Sequence, residues 1–299
     1  MNRSLDFGFF SPAGVVVDAA AVDRAAQRLL ALGHRVVEDE ASRERAQRFA
    51  GDDETRLAAF RRMAARDDVD VAVAVRGGYG VTRLLDRLDF AALARRNRRW
   101  MGHSDFSAFQ LAALAQAGMV TYAGPMAAYD FGAQEPSPYT LGHCFAMLGS
   151  HEHDVEVALD GPPGAPLEGV LWGGNLAIVA HLVGTPYLPQ VTGGLLFLED
   201  VSEHPYRVER MLYQLHYAGI LARQKAVLLG AFTEYALYPH DDGYDLDAVV
   251  AHARERFGVP VYTGLPFGHV RDKLTLPVGG RATLVPGVSA SRLVLRDHG

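Results

Sequence analysis

The chain has 299 residues, 49% apolar and 21% charged, with 29 basic and 35 acidic side chains, 12 histidines and one cysteine. At roughly 150 residues per domain this is enough for two domains, or one large α/β domain, and it excludes disordered and fibrous classes. A net charge of -6 with no long run of one sign offers no footprint for nucleic acid or an anionic membrane.

In chain order, Leu5 to Phe10 reads as a strand, Ser11-Pro12-Ala13-Gly14 as a turn, and Asp18 to Leu32 as a helix closed by Gly33. Val69 to Val75 is a β-branched run that ends in Arg76-Gly77-Gly78-Tyr79-Gly80, a strand followed by a glycine-rich loop. Trp100 to Gly102 and Met119 to Tyr122 are short strands with a helix from Phe106 to Ala117 between them. Strands separated by helices predict a parallel, Rossmann-like sheet covered on both faces.

The stretch 151–168 breaks this rhythm, with His151-Glu152-His153-Asp154, a strand-like piece and then Gly161-Pro162-Pro163-Gly164-Ala165-Pro166, and is expected to be a linker between units 1–150 and 169–299. Beyond it, Leu195 to Leu198, Ala226 to Leu229, Pro260 to Tyr262 and Ala282 to Val285 read as strands, and Tyr206 to Ala218 and Leu246 to Phe257 as helices. The expected fold class is therefore α/β, an N-terminal parallel-sheet domain plus a smaller mixed α/β domain. Cys144 stands alone and cannot form an internal disulfide, the N-terminus has no signal-peptide pattern, and no apolar run reaches the eighteen or so residues of a bilayer span, so a cytoplasmic protein is expected.

Four segments could carry chemistry. Gly102-His103-Ser104-Asp105-Phe106 lies between a strand and a helix, where a serine gains an exposed Oγ and the following amide can donate to an oxyanion. The same residues also suit a plain helix cap. The Arg76–Gly80 loop lies at the strand edge where open α/β sheets bind ligands, and its glycines let backbone N–H groups approach a ligand. It matches neither a dinucleotide fingerprint nor a Walker loop. Leu195 to Leu198 ends in Glu199 and Asp200, with Glu203 close behind, and a carboxylate at a strand tip suits the orientation of a histidine. Gly264-Leu265-Pro266-Phe267-Gly268-His269 supplies the best candidate base. A zinc site on His151, His153 and Asp154 is the metal alternative, but it lacks a companion motif.

Together these segments resemble the LD-carboxypeptidase family of serine peptidases. The resemblance spans nearly the whole chain: Gly8 to Pro12, Arg48 to Gly51, Asp53, Arg56-Leu57, Arg76 to Gly80, Gly102 to Asp105, Gly124-Pro125-Met126, Gly173 to Leu176, Leu198 to Asp200 and Pro266 to His269. It implies a Ser-Glu-His triad on Ser104, Glu199 and His269, with the N–H groups of Gly78 and Asp105 at the oxyanion. Arg76, Tyr79, Trp172 and Asn175 would line the substrate.

The implied activity is release of the terminal D-alanine from murein tetrapeptides in peptidoglycan recycling, through an acyl-enzyme, with no metal or organic cofactor. A muropeptide is the implied partner, and a homodimer is expected. Two alternatives stand beside it: a microcin immunity-type hydrolase of an aminoacyl-nucleotide on the same fold, and a non-catalytic two-lobed binding protein, in which the three triad side chains need not meet.

Overall fold

A computed structural model describes residues 4–96 and 98–296. Its first sheet has the order β11-β5-β4-β3-β1-β2. The strands β1 (Asp6–Phe10), β2 (Arg35–Glu38), β3 (Val71–Ala74), β4 (Arg99–Gly102) and β5 (Thr121–Ala123) run parallel. All four residues of β3 are buried, as a strand covered on both faces requires. Helix α1 (Ala19–Ala31) starts where the Asp18 side chain accepts from the Ala20 N–H, and it buries the stripe Ala21, Val22, Ala25 and Leu29.

The remaining helices of this half are α2 (Asp53–Ala65), α3 (Phe90–Ala94), α4 (Ser107–Ala117) and α5 (Pro138–Gly149). Residues Ser107 through Ala113 of α4 are all buried, because the helix lies between its own sheet and α6 (Leu176–His181) and β7 (Leu167–Asn175). Gly118, left-handed at φ 62°, closes α4.

The second sheet has the order β10-β9-β8-β7-β12-β13-β6. Strands β7, β8 (Leu195–Val201), β9 (Ala226–Thr233) and β10 (Val261–Thr263) are parallel, with α7 (Pro205–Tyr217) and α8 (Leu246–Arg256) in their connections. Strands β12 (Arg281–Val285), β13 (Ser291–Arg296) and β6 (Glu152–Val157) add an antiparallel half. The mixed α/β reading of both halves holds.

Two pairings depart from expectation. The start of 151–168 is not a free connection: β6 pairs along its whole length with β13, and alternating burial in Val155 and Val157 shows why it stays on the sheet. Strand β11 (Leu276–Val278) leaves the second half of the chain and pairs antiparallel with β5 at the edge of the first sheet. Strand β7 escapes a sequence reading because Gly169, Gly173 and Gly174 interrupt it. Gly173, at φ 134°, is required there, since the Phe197 carbonyl of β8 occupies the space of a Cβ.

Candidate active site

The carboxyl ends of parallel strands from both sheets meet at one place. Strand β4 delivers Ser104, which sits at φ 64°, a left-handed conformation that costs a non-glycine residue of order 1 kcal/mol. That turn aims Oγ out of the chain before the short 3₁₀ turn Ser104–Phe106 leads into α4. The His269 Nε2 lies 3.0 Å from Ser104 Oγ, and its Nδ1 lies 2.8 Å from Glu199 Oε2. With Nδ1 donating to the carboxylate, Nε2 is left to accept from the serine hydroxyl.

Glu199 is fully buried on β8, at the point where the register with β9 shifts between Leu198 and Asp200. This irregularity turns two successive carboxylates inward, a common use of a bulge beside a site. Asn175 ends β7 and joins them: its Nδ2 donates to Asp200 Oδ1 at 2.8 Å and reaches Glu199 Oε1 at 3.4 Å. Asp200 also accepts from the N–H groups of Val201 and Ala177, yet burial still pushes its carboxyl up to about 6. Glu203 points elsewhere, half-buried against Arg207 at 3.6 Å, so the carboxylate on the histidine is that of Glu199.

The Arg76–Gly80 loop lies over the serine. A Cβ on Gly77 would stand 2.7 Å from Ser104 Cβ and 3.4 Å from the Asp105 nitrogen, so only glycine permits this approach. The Gly77 carbonyl accepts from Gly14 N–H at 3.0 Å, which turns the Gly78 N–H of the same trans peptide away from Gly14. Asp105 Oδ2 accepts from the Val81 N–H at 2.9 Å, and burial pushes its carboxyl up to about 6.

Arg56, wholly buried, donates to the carbonyls of Pro12 and Gly80 and pairs with Asp53. It therefore clamps the loops that frame the serine. The residue stands within the family resemblance, but only its contacts reveal this task.

The residues expected to line the substrate divide. Tyr79 is exposed beside Phe49 and Arg48, and Arg76 is partly buried with one nitrogen donating to the Val15 carbonyl at 2.8 Å. Trp172 is corrected: it is fully buried in the core, its indole N–H donating to Gln224 Oε1 at 2.9 Å, because the side chain on β7 faces inward between sheet and helices. Asn175 is buried, its amide engaged by Glu199, Asp200 and the Ile178 N–H.

The zinc alternative does not assemble. Asp154 pairs with Arg292, His153 sits 2.7 Å from His143, and no group of three or more metal-ligating side chains occurs among the described residues.

Behind His269 lies a second buried group. The His103 ring is edge-on to His269 at 5.3 Å, its Nδ1 is 2.9 Å from the Gly124 carbonyl, and burial together with the Lys273 charge pushes it well below the ordinary histidine range. His103 is therefore neutral at physiological pH, and its Nδ1 donates to Gly124. The Lys273 ammonium, also buried, pairs with Asp130 at 2.6 Å.

Residues 7–124 match the LD-carboxypeptidase N-terminal domain and residues 168–284 the LD-carboxypeptidase C-terminal domain. The murein tetrapeptide carboxypeptidase of Pseudomonas aeruginosa is 33% identical over 79% of this chain and 79% of its own. The crystal structure of muramoyltetrapeptide carboxypeptidase from Oxalobacter formigenes superposes with a TM-score of 0.92 at 44% identity, covering 98% of this chain and 99% of that one. A microcin C7 self-immunity protein bound to aspartyl sulfamoyl adenosine shares the fold, with a TM-score of 0.90 at 19% identity and complete coverage of both chains. The two matched domains, with the sequence identity over four-fifths of the chain, make this protein a member of the LD-carboxypeptidase family of serine peptidases.

Proposed function

We propose that this chain is a murein tetrapeptide carboxypeptidase that releases the terminal D-alanine. The observation that carries the proposal is the continuous chain from Ser104 Oγ through His269 to Glu199, at 3.0 and 2.8 Å. A two-lobed binding protein has no need of that alignment. The likeness to the microcin immunity protein supports the shared fold alone.

The chemistry follows from the bond, an amide between the L-centre of a diamino acid and D-alanine. Ser104 Oγ attacks the carbonyl carbon while His269 Nε2 takes its proton, and Glu199 holds the ring and stabilises the imidazolium. The N–H groups of Gly78 and Asp105 are the proposed oxyanion donors, each worth about 3 kcal/mol in the transition state. Collapse breaks the C–N bond, and the D-alanine amine leaves with the proton from His269. Water, deprotonated by the same histidine, then hydrolyses the acyl-enzyme. Arg76 and Tyr79, on the loop over the serine, are the proposed substrate contacts.

The same reading carries a division into units 1–150 and 169–299, a cytoplasmic role in peptidoglycan recycling and a homodimer, the last checked by sedimentation. No helix among the described residues is long and apolar enough to cross a membrane. The decisive experiment incubates the protein with UDP-muramoyl-tetrapeptide and measures free D-alanine, with Ser104→Ala and EDTA as controls. Release that is lost by roughly 10⁴-fold or more in the variant and untouched by EDTA is expected. Activity that survives the substitution, or that chelation abolishes and zinc restores, overturns the serine mechanism.

A further inference from the structure

His269 is suspended between two anchorages on opposite sides of the cleft. On the side of Glu199, the Phe267 carbonyl accepts from the Ala231 N–H of β9 at 2.8 Å. On the side of Ser104, three consecutive residues after the histidine are fastened to the segment that follows β5. The Thr140 hydroxyl donates to the Arg271 carbonyl at 2.8 Å and accepts from the Lys273 N–H at 2.9 Å. Ser137 Oγ donates to Asp272 Oδ1 at 2.5 Å. The Lys273 ammonium reaches Asp130 Oδ1 at 2.6 Å, and Asp130 Oδ2 accepts from the Met126 N–H at 2.7 Å. Strand β11 then completes the first sheet.

Lys273 and Asp130 are both buried, and the ammonium also stands 4.9 Å from the Tyr129 ring. A buried pair of this kind contributes little net stability but is costly to break on one side, which suits a fixed geometry better than a stronger fold.

We propose that Asp130, Thr140 and Lys273 are positioning residues that hold His269 within hydrogen-bond reach of Ser104, by fastening the histidine's segment to the sheet that carries the serine. The inference rests on the triad reading above. None of the three need touch substrate. Their removal lets the imidazole drift from the serine while the glycine loop and the rest of the cleft stay in place, so the loss falls on the chemical step.

The test uses Thr140→Val, which removes the hydroxyl at nearly constant volume, Thr140→Ser, which restores it, and the double variant Lys273→Met/Asp130→Leu, which removes both charges and leaves neither unpaired. Each is measured for kcat and KM on the tetrapeptide, for the rate at which a fluorophosphonate labels Ser104, and for thermal midpoint. Thr140→Val and the double variant are expected to lower kcat and the labelling rate at least tenfold with KM within threefold, and Thr140→Ser to recover most of both.

Variants that fold and keep kcat and labelling within twofold of the parent overturn the proposal. A fall in thermal midpoint with labelling unchanged at a temperature where the protein is folded overturns it equally, since that is a structural role alone. If the double variant does not fold, the valine and serine variants decide. The labelling readout also separates this inference from the substrate reading: a parent protein that labels at Ser104 but releases no D-alanine refutes the substrate and leaves the positioning measurable. A parent that does not label at Ser104 refutes the triad itself.

Discussion

Asp105 and Val81 are bonded across the cleft floor: the Asp105 carboxylate accepts the Val81 N–H at 2.9 Å, tying the residue after the serine to the end of the glycine loop. The tie is made by a buried carboxyl that burial pushes from 3.8 up to about 6, against the opposing effect of that N–H bond. The folded state thus binds this proton more tightly than the unfolded chain. The group's contribution to stability is fully present below about pH 4 and is lost as pH rises through about 6, a swing of about 3 kcal/mol. Asp105→Asn should flatten the pH dependence of urea unfolding by about that amount between pH 4 and 7. An unchanged pH profile would show that Asp105 is not the titrating group.

Ser104 holds a left-handed backbone at φ 64°. Ser104→Gly should abolish activity and raise the unfolding free energy by about 1 kcal/mol, because glycine adopts that conformation without Cβ strain, offset in part by its greater unfolded-state entropy. Ser104→Ala keeps the strain and should leave stability near that of the parent. Denaturant titration of the three proteins checks the order.

Gly77 has no unusual backbone requirement but has no room for a side chain, with Ser104 Cβ at 2.7 Å and Oγ at 2.8 Å from the site of a Cβ. Gly77→Ala should therefore lower kcat/KM by roughly a hundredfold or more, through displacement of the serine by a fraction of an ångström to an ångström. Gly78→Ala probes a position whose neighbour is the Gly14 backbone at 3.5 Å, but whose φ of 103° itself strains an alanine, so it should also shift the thermal midpoint. Steady-state kinetics and thermal melts on both variants separate crowding from strain.

The two carboxylates proposed from sequence should differ sharply. Glu199→Gln removes the charge that faces His269 Nδ1 at 2.8 Å and should lower kcat by about 10³–10⁴-fold. Glu203→Gln breaks only a partly exposed pair with Arg207 and should cost less than about 1 kcal/mol of stability and leave kcat nearly unchanged. Rate measurements with the reverse ranking would transfer the orienting role to Glu203.

Local signals in the sequence determined the class of the fold and the chemical types at the site. Fully apolar β3, the Asp18 cap and Gly33 closing α1, and the run of glycines after β3 are each readable over a few residues, because strand burial, helix capping and turn conformation are local properties. Gly102, two residues before Ser104, and Gly268 before His269 likewise marked turns able to expose a side chain. The resemblance then joined residues that no local pattern connects.

Partners distant along the chain were decided by tertiary structure alone. Ser104 and His269 are 165 positions apart and Asp130 and Lys273 are 143 apart, and only the return of β11 to the first sheet brings the second pair together. The inward turn of Glu199 rather than Glu203 depends on a register shift against β9, and the burial of Trp172 depends on which face of β7 meets the helices. Edge-strand pairing, bulge placement and facing all arise from contacts between elements, so periodicity within any one segment carries no trace of them.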